Sequence, residues 1–149
     1  MGYDQDFFLW TSEQATALRA AAHSGANLPI DWENVAEEIE SLGRSDRREI
    51  ASRIATIVEH LMKLQSSPAA DPRSGWRATV LRERAKIADL LDDSPSLRPQ
   101  LATIIGRAMA TSRQIVSEQL AAYGEQLGDV ADYTEEQVLG DWFPPTLGK

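Results

Sequence analysis

The chain has 149 residues, 42% of them hydrophobic and 26% charged, and carries a net charge of −8. That size and balance suit one ordinary globular domain, able to bury roughly 68–70% of its unfolded surface without metals or disulfides. With no cysteine, a disulfide framework, thiolate metal sites and a cysteine nucleophile are all excluded. Such a chain suits a reducing cytoplasm, and the acidity disfavours nucleic acid as a partner, because phosphate backbones repel it. The first residues show neither a basic region nor a long apolar run, so no signal peptide is expected. No stretch approaches the roughly 20 apolar residues of a membrane span.

In chain order, Phe7, Phe8 and Trp10 form an aromatic hook, and Thr11 with Gln14 opens a helix over 11–23 as a capping box. His23 closes it, where a cation suits the helix dipole. Asp31 is an N-cap candidate for a second helix over 32–43. Trp32, Val35, Ile39 and Leu42 recur there at three- and four-residue steps as an inward apolar stripe, and Gly43 is placed as the residue after the helix end. Position 46 is Asp where the stripe should continue, so a break is expected before a third helix over 45–65. That helix is strongly apolar, with Ile50, Ile54, Ile57, Val58, Leu61, Met62 and Leu64.

Pro68–Pro72 reads as a loop. A fourth helix follows over 73–91, with Trp76, Val80, Ile87, Leu90 and Leu91 on one face. The fifth, over 96–124, carries Leu97, Leu101, Ile104, Ile105, Ala108, Ser112, Ile115 and Val116. A capped turn is expected over 134–139, then an extended strap through Trp142 and Phe143. No segment alternates with period two. The fold class is therefore all-α, a bundle of about five helices in one domain with a hook at one end and a strap at the other.

The run Tyr3-Asp4-Gln5-Asp6-Phe7-Phe8, with Trp10, combines with several later runs. These are 31–45 from Asp31-Trp32-Glu33 to Gly43-Arg44-Ser45, His60-Leu61-Met62-Lys63, Trp76-Arg77-Ala78-Thr79, 93–99 from Asp93-Ser94-Pro95 to Pro99, and Glu136-Gln137-Val138-Leu139. Taken in this order the chain resembles the bacterial family called domain of unknown function 29 over nearly its whole length. Leu64 stands where that family often has Trp. The resemblance implies an all-α fold and carries over no activity.

Several constellations could bear chemistry. Asp31, Glu33, Glu37, Glu38 and Glu40 fall within ten residues, but helical spacing turns most of them away from the apolar stripe, and only Glu38 lies at its edge. A capped, solvated helix face is favoured over a metal or acid–base site. Arg73, Arg77, Arg82, Arg84 and Lys86 face a single acid, Glu83. Arg77 and Arg84 lie one heptad apart near the apolar face, where a guanidinium needs a partner. A structural ion pair of Arg84 or Arg77 with Glu38 is the expectation, and an anion site built from the same arginines is the rival. His60 flanks an apolar stripe and reads as a hydrogen-bonded boundary residue. With Glu38 it could make at most an incomplete metal or catalytic site, because the paired Glu-x-x-His of a di-iron bundle is missing. Trp10, Trp32, Trp76 and Trp142 read as structural anchors for hook and strap.

There is no Gly-x-Ser-x-Gly, P-loop or Gly-x-Gly-x-x-Gly. The leading expectation is a non-catalytic helical module that binds protein, with no cofactor and no membrane. The alternative is an enzyme or a binder of small anions or metals, using Glu38, His60, Arg77 and Arg84 in a cleft between helices. Bundles often form homodimers, yet no apolar stripe is left over to require it.

Overall fold

A computed structural model describes residues 2–25 and 27–145. The helices are α1 (Phe7–His23), α2 (Trp32–Ser66), α3 (Arg73–Asp93), a 3-10 helix (Pro95–Gln100), α4 (Leu101–Ala121) and the short α5 (Glu135–Leu139). Helix accounts for 73% of the described residues and none of them lies in a strand, so the fold is all-α. No helix among the described residues is long and apolar enough to cross a membrane. Two compact units can be distinguished: Met1–Ile50 with Asp89–Arg98, and Ala51–Ala88 with Pro99–Lys149.

Three boundaries differ from the sequence expectation, each for a physical reason. Helix α1 starts at Phe7, not Thr11, because Asp6 is the N-cap and accepts from the Leu9 N–H at 2.9 Å. The aromatic hook is therefore the first turn of a helix. Thr11 is buried inside that helix, its hydroxyl donating to the Phe8 carbonyl at 2.7 Å. The expected fifth helix begins as a 3-10 turn, because Pro99 lacks the N–H that an α-helical bond would need. Ile115, placed on its inward stripe, is 39% exposed.

The expected second and third helices are one helix of 35 residues. Gly43 does not end it but is buried within it. A Cβ at this position would lie 2.5 Å from Thr11 Oγ1 and 3.2 Å from Phe8 Cδ2. The glycine is there because α1 passes too close for a side chain. Gly43→Ala should gain about 1 kcal/mol of helix propensity. The gain is outweighed by overpacking against a threonine whose rotamer is fixed by its own hydrogen bond, so a net loss of about 1–3 kcal/mol is expected in urea unfolding. A stabilised variant would show that the approach is looser than this geometry.

The first unit has a small core: Ala15, Ala36, Ile50, Leu91 and Leu97, with Asp6, Thr11 and Ser94 buried among polar ties. Asp6 accepts from the backbone N–H and the hydroxyl of Ser96, each at 2.8 Å, and Ser94 Oγ accepts from the Phe8 N–H at 3.1 Å. Tyr3, Phe7 and Trp10 form an aromatic cluster with ring centroids 4.9–5.9 Å apart.

The second unit has the larger apolar core. It takes Ile54, Ile57, Val58, Leu61, Met62 and Leu64 from α2, Val80 and Ile87 from α3, and Leu101, Ile104, Ile105, Met109, Val116 and Leu120 from α4. In α5, Thr134 and Gln137 form a reciprocal capping box. Beyond it the chain runs without helix through Trp142 and Phe143, the expected strap.

Candidate functional site: an acidic, partly apolar face

The two units differ sharply in charge. The first holds thirteen Asp and Glu against five Lys and Arg, the second ten against ten, so the whole −8 lies in the first unit. Its helix pair explains part of this. Arg19 of α1 reaches Glu40 at 2.9 Å, Glu37 at 3.5 Å and Glu33 at 3.8 Å, and Arg44 binds Glu37 and Glu40 from within α2. The hydrogen bond from Arg19 holds the Glu40 carboxyl below its ordinary value. Its stabilising contribution is thus present above the unfolded carboxylate range and lost as pH falls through the native value.

These contacts overturn the expected orientation of α2. Glu33, Glu37 and Glu40 stay partly solvated, as expected, but they lie on the side that meets α1 through Arg19, beside buried Ala36 and Gly43. The apolar stripe read as inward turns toward water: Val35 is 38% exposed and Leu42 50%, with Ile39 and Trp32 half-buried. Small residues and a shared arginine let two helices pack closely, and this decides the face more strongly than hydrophobic periodicity. Glu38 lies on the exposed side, between Val35 and Leu42.

One turn beyond Leu42, Asp46 lines a cleft of about 300 Å³ with Tyr3, Asp4, Phe7, Leu90 and Asp93. Burial, then Glu49 and Asp93, pushes the Asp46 carboxyl above its ordinary value of 3.8. The native state therefore holds this proton more tightly than the unfolded chain does. Its stabilising contribution is present below the unfolded value and lost as pH rises through the raised native one. Asp46→Asn should accordingly raise the melting temperature at pH 7 and change it little near pH 3. An unaltered melting temperature at both would show that Asp46 is solvated.

Of the residues expected to line a Glu/His/Arg cleft, Glu38 falls in the first unit and His60, Arg77 and Arg84 in the second. Glu38 is exposed, and His60 stands about six turns further along the continuous α2. His60 is half-buried with Nδ1 2.7 Å from the Thr56 carbonyl of its own helix. No group of three or more His, Asp or Glu among the described residues is placed to hold a metal ion.

Arg84 is buried on the Val80–Ile87 face, but its partners are carbonyls rather than Glu38. Nε donates to Val138 at 2.8 Å, and Nη2 to Gln137 at 2.9 Å and Trp142 at 2.7 Å. Burial pulls its pKa down, opposed by Asp141 and reinforced by Arg77. Arg77 is exposed and lies over the Phe143 ring at 3.9 Å, with Arg84 at 4.9 Å from the same ring. Arg73 donates to the Leu64 and Ser67 carbonyls at the end of α2, and Arg113 to the Val130 carbonyl. Orphan acceptors at helix ends and in the strap thus take up Arg73 and Arg84 of the basic set.

The tryptophans divide in role. Trp10 belongs to the aromatic cluster, and Trp142 packs on Tyr133 at 5.5 Å. The Tyr133 hydroxyl donates to Gln65 at 2.8 Å, and burial pushes this phenol well above its ordinary value. Trp32 is half-buried at the start of α2, while Trp76 lines a cleft in the second unit. Sequence reasoning did not single out Tyr3, Asp4, Asp46 or Asp93 as site residues. Their one available signal was the excess of carboxylates around two apolar stretches.

The family model for Domain of unknown function DUF29 matches residues 2–143. The chain belongs to this family. Among solved structures it is similar to a crystal structure from Rhodospirillum rubrum, titled an alpha-helical protein of unknown function. The two are 28% identical over 93% of this chain and 89% of that one, with a TM-score of 0.77. No curated protein matches.

Proposed function

We propose that this DUF29 chain is a non-catalytic helical module that binds protein, and that its acidic first unit docks a basic, amphipathic segment of the partner. The observation that carries this reading is the coincidence of the full −8 charge with an apolar stripe left in water at Val35 and Leu42. An exposed stripe rimmed by carboxylates matches a partner helix that brings apolar side chains to the centre and lysine or arginine to the edge. A second copy of this chain fits the same face poorly, since two units of like charge would meet. Acidity likewise argues against nucleic acid as the partner. A cysteine-free chain of this kind suits the cytoplasm, where we place it.

The test uses a fluorescent 18-residue helix of leucine and lysine, followed by anisotropy at physiological salt. Leu42→Asp adds negative charge, yet it should weaken binding at least about tenfold, because a buried leucine supplies roughly 2 kcal/mol. Leu81→Asp, at a 55% exposed leucine of the second unit, should change little. Equal or tighter binding by Leu42→Asp would reduce the interaction to non-specific attraction and sink the proposal. A concentration-dependent dimer of the wild type that Leu42→Asp dissociates would assign the face to a second copy instead.

A further inference from the structure

The second unit, neutral overall, holds a cleft of about 550 Å³. Pro72, Trp76, Leu120 and Tyr123 provide its apolar and aromatic walls, with Lys63 and Glu125 as its ionic groups. The volume falls within the usual range of small-molecule sites. Tyr123 is 83% exposed, a large ring left in water at the rim.

The two ionic groups are not equivalent. Glu125 is already engaged, accepting from the hydroxyl of buried Ser67 at 2.7 Å, and that hydroxyl in turn accepts from the Ala69 N–H at 3.2 Å. Half-buried Lys63 makes no ion pair among the described residues. Its ammonium lies 6.0 Å from the centre of the Trp76 ring, at the outer limit of a cation–π contact. A partly desolvated cation beside aromatic walls, with no counter-ion of its own, is complementary to a ligand that brings one.

We propose that this cleft binds a small carboxylate with an aromatic or otherwise apolar body, the body against Trp76 and Tyr123 and the carboxylate on Lys63. Neither the charge nor the stripe of the first unit enters this inference, so its failure would leave the docking face untouched.

The probes are 3-phenylpropionate and its neutral counterpart, 3-phenylpropanamide, titrated into the ¹⁵N-labelled full chain. The indole N–H signals of the four tryptophans are followed, with Trp76→Phe assigning one of them. The carboxylate should shift the Trp76 signal and bind about tenfold more tightly than the amide, the gain expected of one charge-assisted contact. Lys63→Met should abolish that preference while leaving amide binding within about twofold. Amide and carboxylate binding alike in the wild type, a preference that survives Lys63→Met, or no shift of Trp76 at about 10 mM of either probe would overturn the proposal.

Discussion

Arg84→Ala is expected to lower the unfolding free energy by about 3–5 kcal/mol, comparable to breaking a buried charged contact. In a chain of this size that is roughly a 10 °C fall in melting temperature. Three carbonyls, those of Gln137, Val138 and Trp142, would lose donors together, and Phe143 would lose one of its two guanidinium neighbours. The strap should loosen first, so Trp142 emission should shift to the red at temperatures where helical circular dichroism is still native. Arg84→Lys should recover less than half of the loss, because an ammonium is a point donor and cannot reproduce the fork that spans these carbonyls. Arg84→Met should fall between alanine and wild type: it restores volume and removes the cost of burying a charge but leaves the same acceptors unmet. A loss below about 1 kcal/mol for alanine would mean that water replaces the guanidinium without penalty.

Asp6→Ala should cost about 2–4 kcal/mol, more than a helix cap alone, which is typically worth about 1 kcal/mol. The difference arises because the same carboxylate, 2% exposed, also receives two hydrogen bonds from Ser96, ninety positions away in sequence. Removing it strands the Leu9 and Ser96 N–H groups where water has little access. Asp6→Asn should rescue only partly, since one amide end offers a donor where an acceptor is needed. A double-mutant cycle with Ser96→Ala should give a coupling of about 1–2 kcal/mol in urea unfolding. Additive losses would show that Asp6 acts only as a cap. Near-UV circular dichroism of the Tyr3–Phe7–Trp10 cluster provides a local readout of the same break.

The outward-facing apolar stripe of α2 and the Asp6 tie belong to one economy of structure. The first unit has few large buried apolar residues and relies on Asp6, Ser94, Ser96 and the Arg19–Glu33–Glu37–Glu40 network. Its apolar side chains are then free to face outward. In the second unit the long stripes of α2 and α4 turn inward, and the charges balance.

Much of this was legible in the residues. The strong stripes predicted the helices of the larger core, the residues 134–139 predicted a capped turn, and the spacing of Arg77 and Arg84 predicted a partly buried guanidinium at one or the other, which the fold assigns to Arg84. The partner of Arg84 was not legible, because any carboxylate or carbonyl could have served and only the tertiary path of the chain brings the strap to it. Gly43 was misread for a related reason: a glycine at a helix end and one at a close helix crossing look alike in sequence. The face of α2 was misassigned because Val35, Ile39 and Leu42 compete with Ala36 and Gly43, and periodicity weighs the larger residues more.

By itself, then, the sequence determined the all-α class, the membership of the DUF29 family and the residues capable of helix and core, because these follow from local spacing and composition. Tertiary structure alone decided which side of α2 meets α1, where the charge of −8 collects, and which acceptors Arg84 and Asp6 satisfy. Those outcomes depend on contacts between residues far apart in the chain, and no local pattern encodes how closely two helices approach.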